Sequence, residues 1–234
     1  MRNYFVFDGV DSRSFGVYIS GQGTFKSPAR IYDEIQIPGK NGNLLGLENR
    51  LENVDLTYPA FIYSNFDANI SNLRSFLLSK TGYFELKDSY HPAEYRMAYF
   101  PGPLEPDVTS RNNAGSFDLT FLCKPQRFLE SGKTIQVFTE DGIIQNPSYF
   151  ASLPLLRVYG TGTVSIGEHT ITITQADEYT DIDCEMMDAY KGTVNKNQYI
   201  RLSGNDFPAL EPGENGIAID GVTRIEITPR WWIA

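Results

Sequence analysis

The sequence predicts a mainly β protein of two domains, residues 1–130 and 131–234. Three observations carry this. Short runs of β-branched and aromatic residues recur between turn clusters. The aromatic share is 13%, alongside 20 glycines and 13 prolines. Only one segment carries a helical period. A chain of 234 residues suits one large β domain or two modest ones.

Taken in order, Tyr4-Phe5-Val6-Phe7 and Phe15-Gly16-Val17-Tyr18-Ile19 read as strands separated by Asp8-Gly9. After a loop around Pro28 to Asp33, Ile35-Gln36-Ile37 alternates. Pro38-Gly39-Lys40-Asn41-Gly42 is then dense turn chemistry, because Gly and Asn accept positive φ. Leu44-Leu45-Gly46 resumes an apolar run. Val54 to Tyr58 and Ala60 to Tyr63 are strand-like, with Pro59 expected to break them. Phe66, Ile70, Leu73 and Leu77 recur at helical spacing, with Asn65 or Asp67 as start cap and Gly82 past the end. Strands return at Tyr83 to Lys87, Tyr95 to Phe100 and Ser116 to Cys123, the last with Phe117, Leu119, Phe121 and Cys123 on one face. Lys124-Pro125 is expected to end it, and Asp88 to Pro92 and Thr109 to Gly115 read as loops.

Beyond a polar stretch from Glu130 to Pro147, short strands follow at regular intervals from Leu155 to Leu202. Gly216 to Ile219 and Val222 to Ile227 flank Asp220-Gly221, which predicts a two-residue hairpin. This spacing suggests a sandwich or jelly roll.

The formal charge of −9 excludes the broad basic surface that gives non-specific DNA affinity. No apolar run approaches the ~20 residues of a membrane span, and the first residues lack a signal-peptide core. A soluble chain made in the cytoplasm is therefore expected. Cys123 and Cys184 lack C-x-x-C spacing and read as buried thiols.

No catalytic, cofactor or metal motif is present. Gly160-Thr161-Gly162 reads as a tight turn, and His91 and His169 as structural groups. Asp181, Asp183 and Glu185 would share a strand face. That face could hold calcium or serve glycoside hydrolysis, but the safer expectation is a solvated face or one meeting Lys or Arg across an interface. The ending Arg230-Trp231-Trp232 offers Trp and Arg to an interface, with cover for the end of the sandwich as the other reading of Trp232.

Phe7-Asp8-Gly9 with Phe15-Gly16-Val17, Ile37 to Gly42, Gly82-Tyr83-Phe84 through Asp88 and Phe121 to Pro125 carry a resemblance across the first half. Asn146-Pro147, Pro154-Leu155, Ile182 to Glu185 with Ala189-Tyr190, and Pro229 to Trp232 continue it through the second. In this order and spacing the chain resembles the distal tail (Dit) proteins of long-tailed, non-contractile bacteriophages, with Lys40 where the family often has Arg.

The resemblance implies an N-terminal tail-tube-like β-sandwich with one helix and a protruding hairpin. A galectin-like or jelly-roll sandwich would follow it. It implies a structural virion protein, not an enzyme, at the distal end of the tail and assembled in the host cytoplasm. Six copies would form a ring joining the major tail tube protein to the tail-associated tip protein, around an axial channel for DNA. Receptor-binding proteins are further partners in the family, although the closely spaced strands after Leu155 leave no room for the arm some relatives use. Specific nucleic-acid binding, membrane insertion and cofactors are not expected. Lys40, Asn41, Gly42, Leu44, Arg230 and Trp232 are the interface candidates. The alternative is a carbohydrate-binding module for host cell-wall sugars, held on Trp or Tyr faces.

Overall fold

The computed structural model describes residues 2–21, 24–109, 113–204 and 206–234, with backbone alone at 47–49 and 109. Its contacts divide the chain into two compact units, one running through Arg127 and including Ala234, the other Phe128–Ile233.

In the first unit the strands are β1 (Phe5–Phe7), β2 (Val10–Asp11), β3 (Val17–Ile19), β4 (Arg30–Gln36), β5 (Asn43–Leu51), β6 (Val54–Ile62), β7 (Phe84–Asp88), β8 (Glu94–Tyr99), β9 (Asp107–Thr109) and β10 (Ala114–Leu129). The helix α1 (Phe66–Leu78) follows β6. One sheet runs β2-β1-β7-β8-β10-β6-β3, with β9 also on β10. Alternation turns Phe117, Leu119, Phe121 and Cys123 inward from β10, and Leu56, Tyr58, Ala60 and Ile62 inward from β6. The helix covers this face with Phe66, Ile70, Leu73 and Leu77, the stripe its sequence period predicts. Phe121 stands at the centre, its ring meeting Phe7 at 5.0 Å and Phe5 at 5.6 Å.

Three local expectations are corrected. β6 runs unbroken through Pro59, which sits opposite Asp118. The Pro59 carbonyl accepts Ser20 N at 2.8 Å, so its nitrogen faces the end of the β3 ladder, and the β10 ladder loses nothing. β10 likewise continues through Pro125 to Leu129, because its pairing with β6 stops at Cys123 and Pro125 lies beyond it. At the helix, Asn65 is the N-cap by position but its side chain makes no cap hydrogen bond. Ser79 is the C-cap, and Gly82, at φ 106°, lies in the connection to β7. Of the loop expected over Thr109 to Gly115, residues 110–112 lie outside the described residues.

The second unit contains β11 (Gln136–Phe138), β12 (Gly142–Asn146), β13 (Leu155–Tyr159), β14 (Gly162–Ile166), β15 (His169–Ile173), β16 (Tyr179–Asp183), β17 (Asp188–Lys191), β18 (Val194–Asn195), β19 (Ile200–Leu202), β20 (Gly213–Asp220) and β21 (Arg224–Thr228). β22 (Trp232–Ile233) follows near the end of the chain. A six-stranded sheet, β11-β21-β13-β16-β17-β18, and a five-stranded one, β12-β20-β14-β15-β19, share one core. Leu156, Val158, Ile182, Ile225 and Ile227 from the first meet Val164, Ile166, Ile171, Ile173 and Ile217 from the second.

Asp220-Gly221 does not close a hairpin. β20 pairs with β12 and β14, whereas β21 pairs with β11 and β13, so the turn carries the chain from one sheet to the other. Gly162 permits this crossing: a Cβ there would stand 2.2 Å from Asp220 O, and its φ is 147°.

Candidate functional site

Four of the six interface candidates gather on the β4–β5 ribbon. Among the described residues these two strands pair only with each other, apart from the main sheet. Gly39 at φ 80° and Gly42 at φ 82° make the turn, where Lys40 and Asn41 are exposed. Register places Ile35 opposite Leu44 on one face and Glu34 opposite Leu45 on the other, with Tyr32 on the second face too. Ile35, Leu44 and Leu45 are 52, 56 and 51% exposed. Of these apolar residues only Leu44 is among the six candidates, although the sequence reading extends the contact region over Asn41–Leu47; the alternation of apolar residues onto both faces of one ribbon is the signal it lacks. A two-stranded ribbon is marginal in water by itself.

Arg230 and Trp232 lie in the second unit and are engaged within it. Arg230 has φ 58°, left-handed for a residue with a side chain. Its amide donates to Gly132 O at 2.9 Å, and a Cβ at Gly132 would meet Trp231 N at 2.4 Å. The guanidinium forms two 2.8 Å bonds to the carboxylate of Asp183, itself buried. Asp183 also accepts the amides of Glu185 at 3.0 Å and Met186 at 3.1 Å. Burial alone would raise the Asp183 carboxyl, but the Arg230 guanidinium and these amides outweigh it and hold it below the usual carboxylate range. Trp232 stacks on Phe150 at 4.2 Å and donates Nε1 to Ala151 O at 2.9 Å.

The acidic stretch is paired with arginine. Asp181 takes two bonds from Arg157, 2.7 and 3.0 Å, while Glu185 has left the strand for the following turn. Among the described residues no three His, Cys, Asp or Glu side chains are grouped as a metal site needs. His91 contacts Thr24 Oγ1 at 3.2 Å and packs against Phe25, and His169 opens β15. Both cysteines are buried, and burial pushes each thiol up to about 12. Among the described residues no helix is long and apolar enough to cross a membrane.

Residues 11–123 match the family model described as phage tail protein RIFT-related domain. No curated protein matches the sequence. Among solved structures, the fold matches that of the phage SPP1 Dit protein (gp 19.1), described as a paradigm of hub adsorption apparatus in Gram-positive infecting phages. The TM-score is 0.72 at 13% identity, over 97% of this chain and 98% of that one. A chain of the phage P2 baseplate in its activated conformation with calcium matches at 0.58 and 13% identity, over 97% of each chain. The same baseplate with strontium matches at 0.58 and 12% identity, again over 97% of each. Identities this low speak for the fold. The family match over residues 11–123 and the fold of the whole chain together bear out the resemblance to phage distal tail proteins read from the sequence.

Proposed function

We propose that the protein is the structural hub at the distal end of a siphophage tail. In this reading residues 1–130 form a ring of six copies, and residues 131–234 are a galectin-like sandwich on its outside. The ring joins the tail tube protein to the tail-associated tip protein and leaves an axial channel through which DNA passes without specific binding. The chain has no catalytic duty, assembles in the host cytoplasm, and offers its periphery to receptor-binding proteins.

The observation that carries this is the β4–β5 ribbon, outside the main sheet and with exposed apolar side chains on both faces. A closed ring needs a head-to-tail contact repeated until it meets itself, and a projecting ribbon with open edges supplies one. Completing the burial of the half-exposed Ile35 and Leu44 contributes roughly 1 kcal/mol each per contact, repeated around the ring. Lys40, Asn41 and Gly42 at its tip, and Arg230 and Trp232 in the second unit, remain our contact candidates.

Electron microscopy and light scattering of the purified chain, alone and with its tube and tip neighbours, test the reading. Six-fold rings with an open pore are expected. A strictly monomeric protein under all these conditions refutes it.

A further inference from the structure

The outer face of the six-stranded sheet carries a cavity that the hub reading leaves unused. Register places Leu155 beside Thr228 and Arg157 beside Glu226, while on its other side Arg157 faces Asp181. With Ile135, these side chains line an open cavity of about 130 Å³.

Its polar wall is held from within. Arg157 grips Asp181 through Nε and Nη2, and the Asp181 side chain is only 8% exposed. Glu226 is held by Arg224 at 2.8 Å. Donors and acceptors thus stand together in set orientations with charges cancelled in pairs. The other wall is apolar: Leu155 and Ile135 line it, and Val137 shares a face with Glu226. Ile135 and Val137 are each 55% exposed. Tyr159 and Tyr179 continue the face, with the Arg224 and Arg157 guanidiniums 4.0 and 4.2 Å from their ring centres.

A charged ligand finds its counter-charges already taken here. A purely apolar one would strip water from Arg157, Asp181 and Glu226 and give no hydrogen bond in return. A neutral polyhydroxylated ring satisfies both walls, and the volume limits it to one ring. We propose that this cavity binds a single residue of a neutral saccharide. Its hydroxyls bridge the Arg157 guanidinium and the carboxylates of Asp181 and Glu226, and its C–H face rests on Leu155 and Ile135. The inference does not depend on ring formation. It also places the sugar away from Trp232, whose ring is already stacked on Phe150.

The test is an NMR titration of the full chain with glucose, galactose, N-acetylglucosamine and rhamnose in turn. With at least one of them, saturable shifts are expected at Val137, Leu155, Arg157, Asp181 and Glu226, at a dissociation constant on the order of 1 mM. Arg157→Ala weakens binding at least about tenfold. Because Arg157→Ala also leaves Asp181 unpaired, Ile135→Asp on the exposed rim is the second variant and gives the same loss with an otherwise native spectrum. Absence of saturable shifts with all four sugars, or binding indifferent to Ile135→Asp, overturns the proposal.

Discussion

Replacing Asp183 with alanine removes a carboxylate that four donor atoms use at once: two guanidinium nitrogens of Arg230 and the amides of Glu185 and Met186. Breaking a buried ion pair from one side costs about 3 to 5 kcal/mol, because the surviving charge is left without its partner. Arg230 keeps 22% of its side chain exposed and has Glu185 at 3.6 Å, so the lower end of that range applies, about 3 kcal/mol. For a unit of this size each kcal/mol moves the midpoint by about 4 °C or more, so a fall of at least about 12 °C is expected. Scanning calorimetry should show it in the transition of the second unit, with that of the first unchanged.

The acid limb gives an independent reading. The folded carboxyl of Asp183 lies below its unfolded value of about 3.9, so its stabilising contribution is fully present above that pH. It is lost as pH falls through the folded pKa. Wild type and Asp183→Ala should therefore differ at neutral pH and converge in strong acid. A cost under about 1 kcal/mol, or a gap that persists unchanged in acid, would refute the argument.

Three further outcomes are expected. Gly162→Ala forces a Cβ to 2.2 Å from Asp220 O at a φ of 147°, so soluble expression should collapse, whereas Gly167→Ala, with nothing within 4 Å, should cost far less. Cys123 and Cys184, buried with thiols pushed up to about 12, should be silent to a thiol reagent at pH 8 and react together with it only on unfolding. Ile35→Lys with Leu44→Lys should leave the melting curve within about 0.5 kcal/mol of wild type yet abolish rings in electron micrographs, since both side chains are more than half exposed.

Much of this fold was legible because local rules and tertiary packing agree. The Phe66, Ile70, Leu73, Leu77 stripe has no competing period, and the glycines of the Gly39 to Gly42 turn do take positive φ. The prolines misled because a strand rule was applied without knowing which edge each nitrogen faced; Pro59 and Pro125 both lie where a ladder has run out. Asp220-Gly221 misled differently. A tight turn dictates a change of direction, but only side-chain packing decides whether the next strand joins the same sheet or the facing one. At the candidate site, residue type pointed to Arg230 and Trp232, yet both spend their polar groups inside their own unit. Non-local pairs such as Arg157 with Asp181, 24 residues apart, follow from strand order, which no local pattern announces.

In the ring proposed above, the two-faced ribbon also sets how failure would look. A head-to-tail contact has no intrinsic stopping point, and closure depends on the angle at which one subunit meets the next. Substitutions that leave Ile35 and Leu44 in place but tilt the root of the ribbon should not yield monomers. They should yield spirals or open fibres, in which the same adhesive surface winds past its own beginning.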